Sequence, residues 1–250
     1  MKSSERQKLK HDEVQETLQD VYARIDQNRS RVIAAVVGVA ILAVAIGGWM
    51  LFQKQRANKA GALLAEGLVI SEAPVVPPAP PAEPGQPAPP TTLPAGSYTS
   101  EQAKLEAALP KFMAAAEAYP STQAGIAARY YAATTLVALG KTGQARQQYQ
   151  EVIDAAGRSL YGRMARLGVA EIDVKAKNYD AAIASLRELS LDVKGDLPID
   201  AVLVQLGQAY LAAGKKAEAQ QAFQRVTTEF AQSPYAADAR KRLDGLKAGA

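Results

Sequence analysis

Residues 200–229 read DAVLVQLGQAYLAAGKKAEAQQAFQRVTTE, and this stretch decides the fold. It holds two helical patterns separated by a break at Gly214. Traced towards the N-terminus, its apolar positions return every 37 residues. Ala219 is preceded by Ala182, Ala145 and Ala108; Phe223 by Leu186, Tyr149 and Phe112; Val226 by Leu189, Val152 and Ala115. Gly207 is preceded at the same step by Ala170 and Ala133. A fixed step of this length marks stacked helical hairpins, units that bury their apolar faces only against neighbours. The expected fold class is therefore all-α, a helical-hairpin solenoid over residues 99–250. Such stacks build extended binding surfaces, which favours partner binding over catalysis.

Composition agrees. Apolar residues make up 48% of the 250, but aromatics only 6%. An alanine-rich, aromatic-poor chain gains buried area through close helix approach. The net charge is only +4 and is not gathered into a stripe, so nucleic acid is not an expected partner. Without cysteine there is no disulfide, thiolate metal site, cysteine nucleophile or lipid-modified N-terminal cysteine.

Residues 32–52 carry no charge. At helical rise they cover about 31 Å, close to the hydrocarbon thickness of a bilayer, so lipid is the expected surrounding of this one N-terminal transmembrane helix. Arg29 and Arg31 close one end; Trp49, Phe52, Lys54 and Arg56 mark the other, as interfacial anchors do. The 31 residues before the run are too polar and too long for a cleaved leader. Basic residues flanking the span tie at three a side, but the whole tail, residues 1–31, holds seven Lys/Arg. That bias places the N-terminus in the cytoplasm and exports the repeats. Ala34 and Gly38, and Ala43 and Gly47, stand four apart, which is either a weak dimerisation face or ordinary span composition.

Around the span the chain divides further. Within the tail, residues 12–31 form an amphipathic pattern with Val14, Leu18, Val21 and Ile25 as a short seam. After the span, residues 53–72 stay helical in pattern, with Ala60, Leu63, Leu64, Gly67 and Leu68 on one face. Residues 73–98 follow; ten of the chain's 14 prolines fall between Pro74 and Pro94. Helix and strand are excluded there. Extended polyproline II at about 3.1 Å per residue would reach on the order of 80 Å. Further on, Ser100 is the expected N-cap, with Glu101 in the first turn. Pro110 is expected to kink or restart its helix. Breaks are expected at 119–121, Gly140, Gly157, Gly195, Gly214 and 233–234, followed by a polar capping helix over about residues 235–243.

These residues resemble the tetratricopeptide repeat. Leu206-Gly207 with Tyr210, then Gly214, Ala219 and Phe223, follow that family's pattern of small and aromatic positions. The other copies are degenerate: Ala133 and Ala170 replace the glycine, Leu136 and Asp173 the tyrosine. The order of tail, span and repeats, with Ala128-Arg129 and Ala165-Arg166 opening successive helices, is similar to the ancillary Sec-translocon subunit family. That resemblance implies a single-pass bacterial inner-membrane protein with a cytoplasmic tail and a periplasmic repeat domain. It also implies translocon or periplasmic-chaperone contacts. The proline-rich segment departs from the family. The resemblance further suggests that residues 53–72 are the first helix of the first repeat, continuous with the span, and that residues 101–119 are its second helix. The proline segment is then a loop within that repeat, the alternative being a tether between span and stack.

A search for chemistry finds little. The single histidine, His11, lies in the tail, so no metal cluster or histidine triad can be assembled and no cofactor is implied. Gly140-Lys141-Thr142 mimics the end of a phosphate loop but lacks the earlier glycine, Thr135 standing there. Two repeats further on, 74 residues later, Gly214-Lys215 occupies the same place, so a turn is the expected reading. In tetratricopeptide stacks the first helices line the ligand groove, which by resemblance maps the candidate site to Tyr130, Thr134, Leu167, Glu171, Val204 and Gln208. Core packing competes for Leu167 and Val204. Lysine and asparagine that clamp a terminal carboxylate are missing there, whereas an apolar, amide-lined groove suits extended or helical polypeptide. Arg129, Arg166 and Arg240 share one repeat place and form either a basic ladder or pairs with neighbouring acids. The expected function is a membrane-anchored scaffold for protein partners, not an enzyme. The alternative is a structural protein of envelope assembly or division that self-associates weakly through its span or seam.

Overall fold

The computed structural model describes residues 29–77, 94–192 and 197–248, the side chains of residues 32 and 35 aside. The amphipathic pattern before Arg29, with its seam, therefore lies outside the described residues, as do His11, Gly195 and most of the proline-rich segment. The chain divides into two compact units, Met1–Gln55 and Arg56–Ala250.

Helix α1 (Arg29–Ser71) runs through the end of the first unit. Its apolar side chains there stay exposed on every side: Ile33, Ile41, Trp49 and Phe52 are all more than half exposed. A helix that is apolar all round has no polar face to offer water. By length and composition this one is able to cross a membrane.

Among its described residues the second unit is an all-α stack of helical hairpins. After α1 come α2 (Glu101–Ala118), α3 (Gln123–Ala138), α4 (Thr142–Ala156), α5 (Leu160–Lys175), α6 (Tyr179–Leu191), α7 (Ile199–Ala212), α8 (Lys216–Glu229) and α9 (Ala236–Ala248). Helices α3/α4, α5/α6 and α7/α8 form successive hairpins, each joined by the same turn. Gly140, Lys177 and Gly214 adopt φ of 74°, 64° and 75°. In each turn the next residue's N–H (Lys141, Asn178, Lys215) donates to a carbonyl five residues back (Leu136, Asp173, Tyr210) at 2.8 Å. This is the left-handed cap that ends a helix, satisfying carbonyls that would otherwise lack a donor. The turn at Lys177 was not expected from sequence, because a lysine stands where the 37-residue step elsewhere places glycine.

Two further expectations change. Helix α2 starts at Ser100, whose hydroxyl accepts from the Ala103 N–H at 3.1 Å, and runs through Pro110 without restarting. Pro110 is exposed, so the carbonyl its ring leaves unpaired faces water. Helix α9 extends to Ala248, beyond the expected end, because Leu243 and Leu246 carry its apolar stripe on along the core.

The 37-residue positions form the core. Ala108, Ala145, Ala182 and Ala219 are fully buried, and Phe112, Tyr149, Leu186 and Phe223 nearly so. Alanine at the first set lets helices close up, and the ring at the second fills the space between them. Gly207 shows why its place stays small: a β-carbon there would lie 2.6 Å from the Phe223 ring. The same contact recurs between Gly67 and Phe112, where a β-carbon would lie 2.5 Å from the ring. Around it Leu63, Leu64 and Leu68 of α1 cover Ala108, Ala115 and Ala116 of α2, and the Lys111 ammonium meets the Glu66 carboxylate at 2.8 Å. Just beyond α1 the backbone makes an isolated bridge between Val75 and Tyr98. There the Val76 N–H donates to Tyr98 O at 2.8 Å, and the Tyr98 N–H donates to Pro74 O at 3.0 Å. The two ends of the proline-rich segment are thus hydrogen-bonded to each other.

Candidate partner-binding surface

The first helices α3, α5 and α7 place the six candidate residues. On α3, the Tyr130 ring sits among Tyr131, Tyr149 and Tyr161, with centroids 5.7, 5.8 and 5.7 Å away. Burial raises the Tyr130 hydroxyl pKa, and the Glu171 carboxylate and neighbouring phenols add to the shift. Burial raises Tyr149 further, again with Tyr130 and Glu171 contributing. Both rings therefore remain protonated at neutral pH and keep a hydroxyl donor. The Thr134 hydroxyl donates to the Tyr131 carbonyl at 2.9 Å.

On α5 and α7 the set splits. Leu167 is half-buried against the C-terminal core, and Val204 is buried in it at 6% exposure, so packing accounts for most of what Val204 contacts. Glu171 and Gln208 are exposed and line one depression of about 210 Å³ between α5 and α7. Its other walls are Val174, Lys175 and Gln205, with Leu186 and the alanines Ala170 and Ala209 below. Gln205 Nε2 donates to Glu171 Oε1 at 2.9 Å. Tyr130 and Thr134 do not line this depression.

The missed residues follow from helical spacing. Val174 and Lys175 lie three and four residues after Glu171, and Gln208 and Ala209 lie three and four after Gln205, so each group shares one helix face. The surface offers a carboxylate, two amides and an ammonium around an apolar floor. Amides both donate and accept, as a peptide backbone does.

Two of the three arginines at the shared repeat place pair with acids. The Arg129 guanidinium binds the Glu151 carboxylate, Gln148 Oε1 at 3.0 Å and the Ala116 carbonyl at 3.1 Å. Arg166 Nη1 donates to Glu188 Oε1 at 2.9 Å, and Arg240 is exposed. Gly140-Lys141-Thr142 is the α3–α4 turn, preceded by a helix and equivalent to the turn at Gly214. Among the described residues no cluster of His, Cys, Asp or Glu is arranged to hold a metal ion.

A family model described as a tetratricopeptide repeat-like domain matches residues 25–248. Among solved structures, the chain is similar to a Podosopora anserina protein assigned as a kinesin light chain, with nearly identical tetratricopeptide-like repeats. The TM-score is 0.47 at 15% identity, covering 58% of this chain and 86% of the other. A search of curated proteins finds no match.

Proposed function

The chain belongs to the tetratricopeptide repeat-like domain family, and on that premise we propose that it is a membrane-anchored scaffold whose first-helix face holds polypeptide partners. Repeats of this family serve as protein-interaction scaffolds. The observation that carries the reading here is the depression that Glu171 and Gln208 line between α5 and α7. Its amides and carboxylate can pair with a peptide backbone while Leu186 and the alanine floor take an apolar side chain.

The anchor is the exposed apolar part of α1, residues 32–52, seated in a bacterial inner membrane. The tail is cytoplasmic and the repeats periplasmic, a placement supported by the basic tail and the resemblance to ancillary Sec-translocon subunits. Polypeptides leaving the translocon, or chaperones that receive them, are then the partners within reach. The stack begins inside α1: residues 56–71 serve as the first helix of the first repeat and α2 as the second. The Gly67–Phe112 contact, equivalent to Gly207–Phe223, supports that assignment.

Photocrosslinking in native membranes tests the binding face. A crosslinker at Gln208 or Tyr130 is expected to capture a polypeptide, whereas one at Gln150, exposed on α4, is not. Capture from Gln150 alone would refute the face assignment. Protease protection in sealed vesicles tests topology separately: the repeats should be cut only from the periplasmic side.

A further inference from the structure

On the first helices α3, α5 and α7, most charged side chains are already answered within the fold. Arg129 reaches Glu151, Arg163 reaches Asp192, Arg166 reaches Glu188, and Asp173 holds Arg146. Asp200, at the start of α7, accepts from the Ser233 hydroxyl. Glu171 and Lys175, both on α5, make no ion pair with any described residue. Lys175 stands in the last turn of its helix, where a cation complements the carbonyl end. Glu171, one turn earlier, gains nothing from that dipole. Its hydrogen-bond partner is neutral, Gln205 Nε2 on Oε1 at 2.9 Å, and the other carboxylate oxygen is open.

An aromatic cluster stands beside this carboxylate. Glu171 comes one repeat and one helical turn after Tyr130, and its charge acts on the hydroxyls of both Tyr130 and Tyr149. The other groups acting on those hydroxyls are neighbouring phenols, and no cation is among them. Lys175 shares the depression with Glu171, yet it contributes to neither hydroxyl. Glu171 is exposed, and Tyr130, Tyr131 and Tyr161 are half-buried, so carboxylate and rings both meet solvent.

This pairing occurs at one junction. One repeat further on, the same relation joins Leu167 to Gln208, with neither ring nor charge. Between α3 and α5, then, adjacent hairpins bring the electron-rich faces of phenol rings to a carboxylate that no cation neutralises. Ring faces and carboxylate both attract positive charge.

We propose that this place receives the guanidinium of an arginine in a bound polypeptide, which lies against the Tyr130 ring and donates to the Glu171 carboxylate. The proposal rests on the reading of the first-helix face as polypeptide-binding, and names the side chain that this face selects. Guanidinium suits both halves of the place: it is planar and weakly hydrated, so it stacks on a ring, and its fork of N–H groups fits a carboxylate. Gln208, beyond Glu171, stays available to the peptide backbone.

The test uses the full chain in lipid nanodiscs and three labelled peptides of equal length. They share leucine and serine positions and carry arginine, citrulline or glutamate at the centre. Citrulline keeps the shape of arginine without its charge. Fluorescence anisotropy should show the arginine peptide binding about tenfold tighter than the citrulline peptide, with glutamate weakest. Glu171→Gln, an exposed change, should remove most of that margin while the affinity for the citrulline peptide stays the same. Tyr130→Phe keeps the ring and should keep the margin; Tyr130→Leu should lose it, with melting curves checking that the stack is folded. Glu188→Gln, on α6, should change nothing. Equal binding of the arginine and citrulline peptides overturns the arginine site while leaving the binding face. A margin that survives Glu171→Gln also overturns it. Binding of none of the three overturns the site and the face together.

Discussion

The proposed first repeat and the last repeat make the same contact by different routes. In the last, Gly207 and Phe223 meet across a hairpin closed by one short turn. In the first, Gly67 and Phe112 meet across a proline-rich insertion whose ends are pinned by the Val75–Tyr98 bridge. What the two share is a glycine that leaves room and a ring that fills it; chain connectivity is secondary. Loop-closure cost rises only slowly with length, so a long insertion at a turn is tolerated if the flanking helices pack. Side-chain burial between the helices decides the structure, and the turn only has to permit it.

The strongest way to break this comparison is to remove the two rings. Phe112→Ala and Phe223→Ala should each cost about 3–5 kcal/mol, since each ring is almost wholly buried. If urea unfolding shows Phe112→Ala costing less than about 1 kcal/mol, the first repeat is not packed as the last is. Filling the glycine place is the next test. Gly67→Val should destabilise by about 1–3 kcal/mol, as Gly207→Val should, because each added side chain meets a ring.

A smaller effect separates the middle of the stack from its ends. The Tyr149 hydroxyl has its pKa raised in the folded protein above its ordinary 10.0. Folding therefore disfavours the phenolate. The stabilising contribution is complete below pH 10 and is lost as pH rises from there towards the folded value, by up to about 1.4 kcal/mol per pH unit. Tyr149→Phe should flatten the alkaline limb of the stability profile, and an unaltered slope would place the titration elsewhere. The smallest change sharpens the comparison of turns. Lys177 holds a left-handed conformation that glycine adopts without strain in the equivalent turns. Lys177→Gly should raise stability by about 0.5–1 kcal/mol, read as a higher melting temperature.

Much of this was legible in the sequence. The 37-residue step named core positions that are now buried, and Gly140 and Gly214 marked two of the three hairpin turns. The third was hidden because Lys177 lacks the residue type that signals it, although the Asn178 N–H bonds the Asp173 carbonyl just as its equivalents do in the other two turns. Pro110 misled because its cost depends on whether the freed carbonyl meets water, which sequence does not display. For the candidate site, Glu171 and Gln208 were placed by repeat position, but Val204 is turned into the core. Pairs such as Arg166 and Glu188 cross a hairpin, so no spacing rule within one helix reveals them.

The claim that the stack begins inside α1 is tested most directly by urea denaturation of residues 56–250 against residues 99–250. The account predicts that the shorter protein, which lacks the helix covering Phe112 and Ala115, is less stable by about 3 kcal/mol or more. Equal stability of the two would contradict it and make the proline-rich segment a tether.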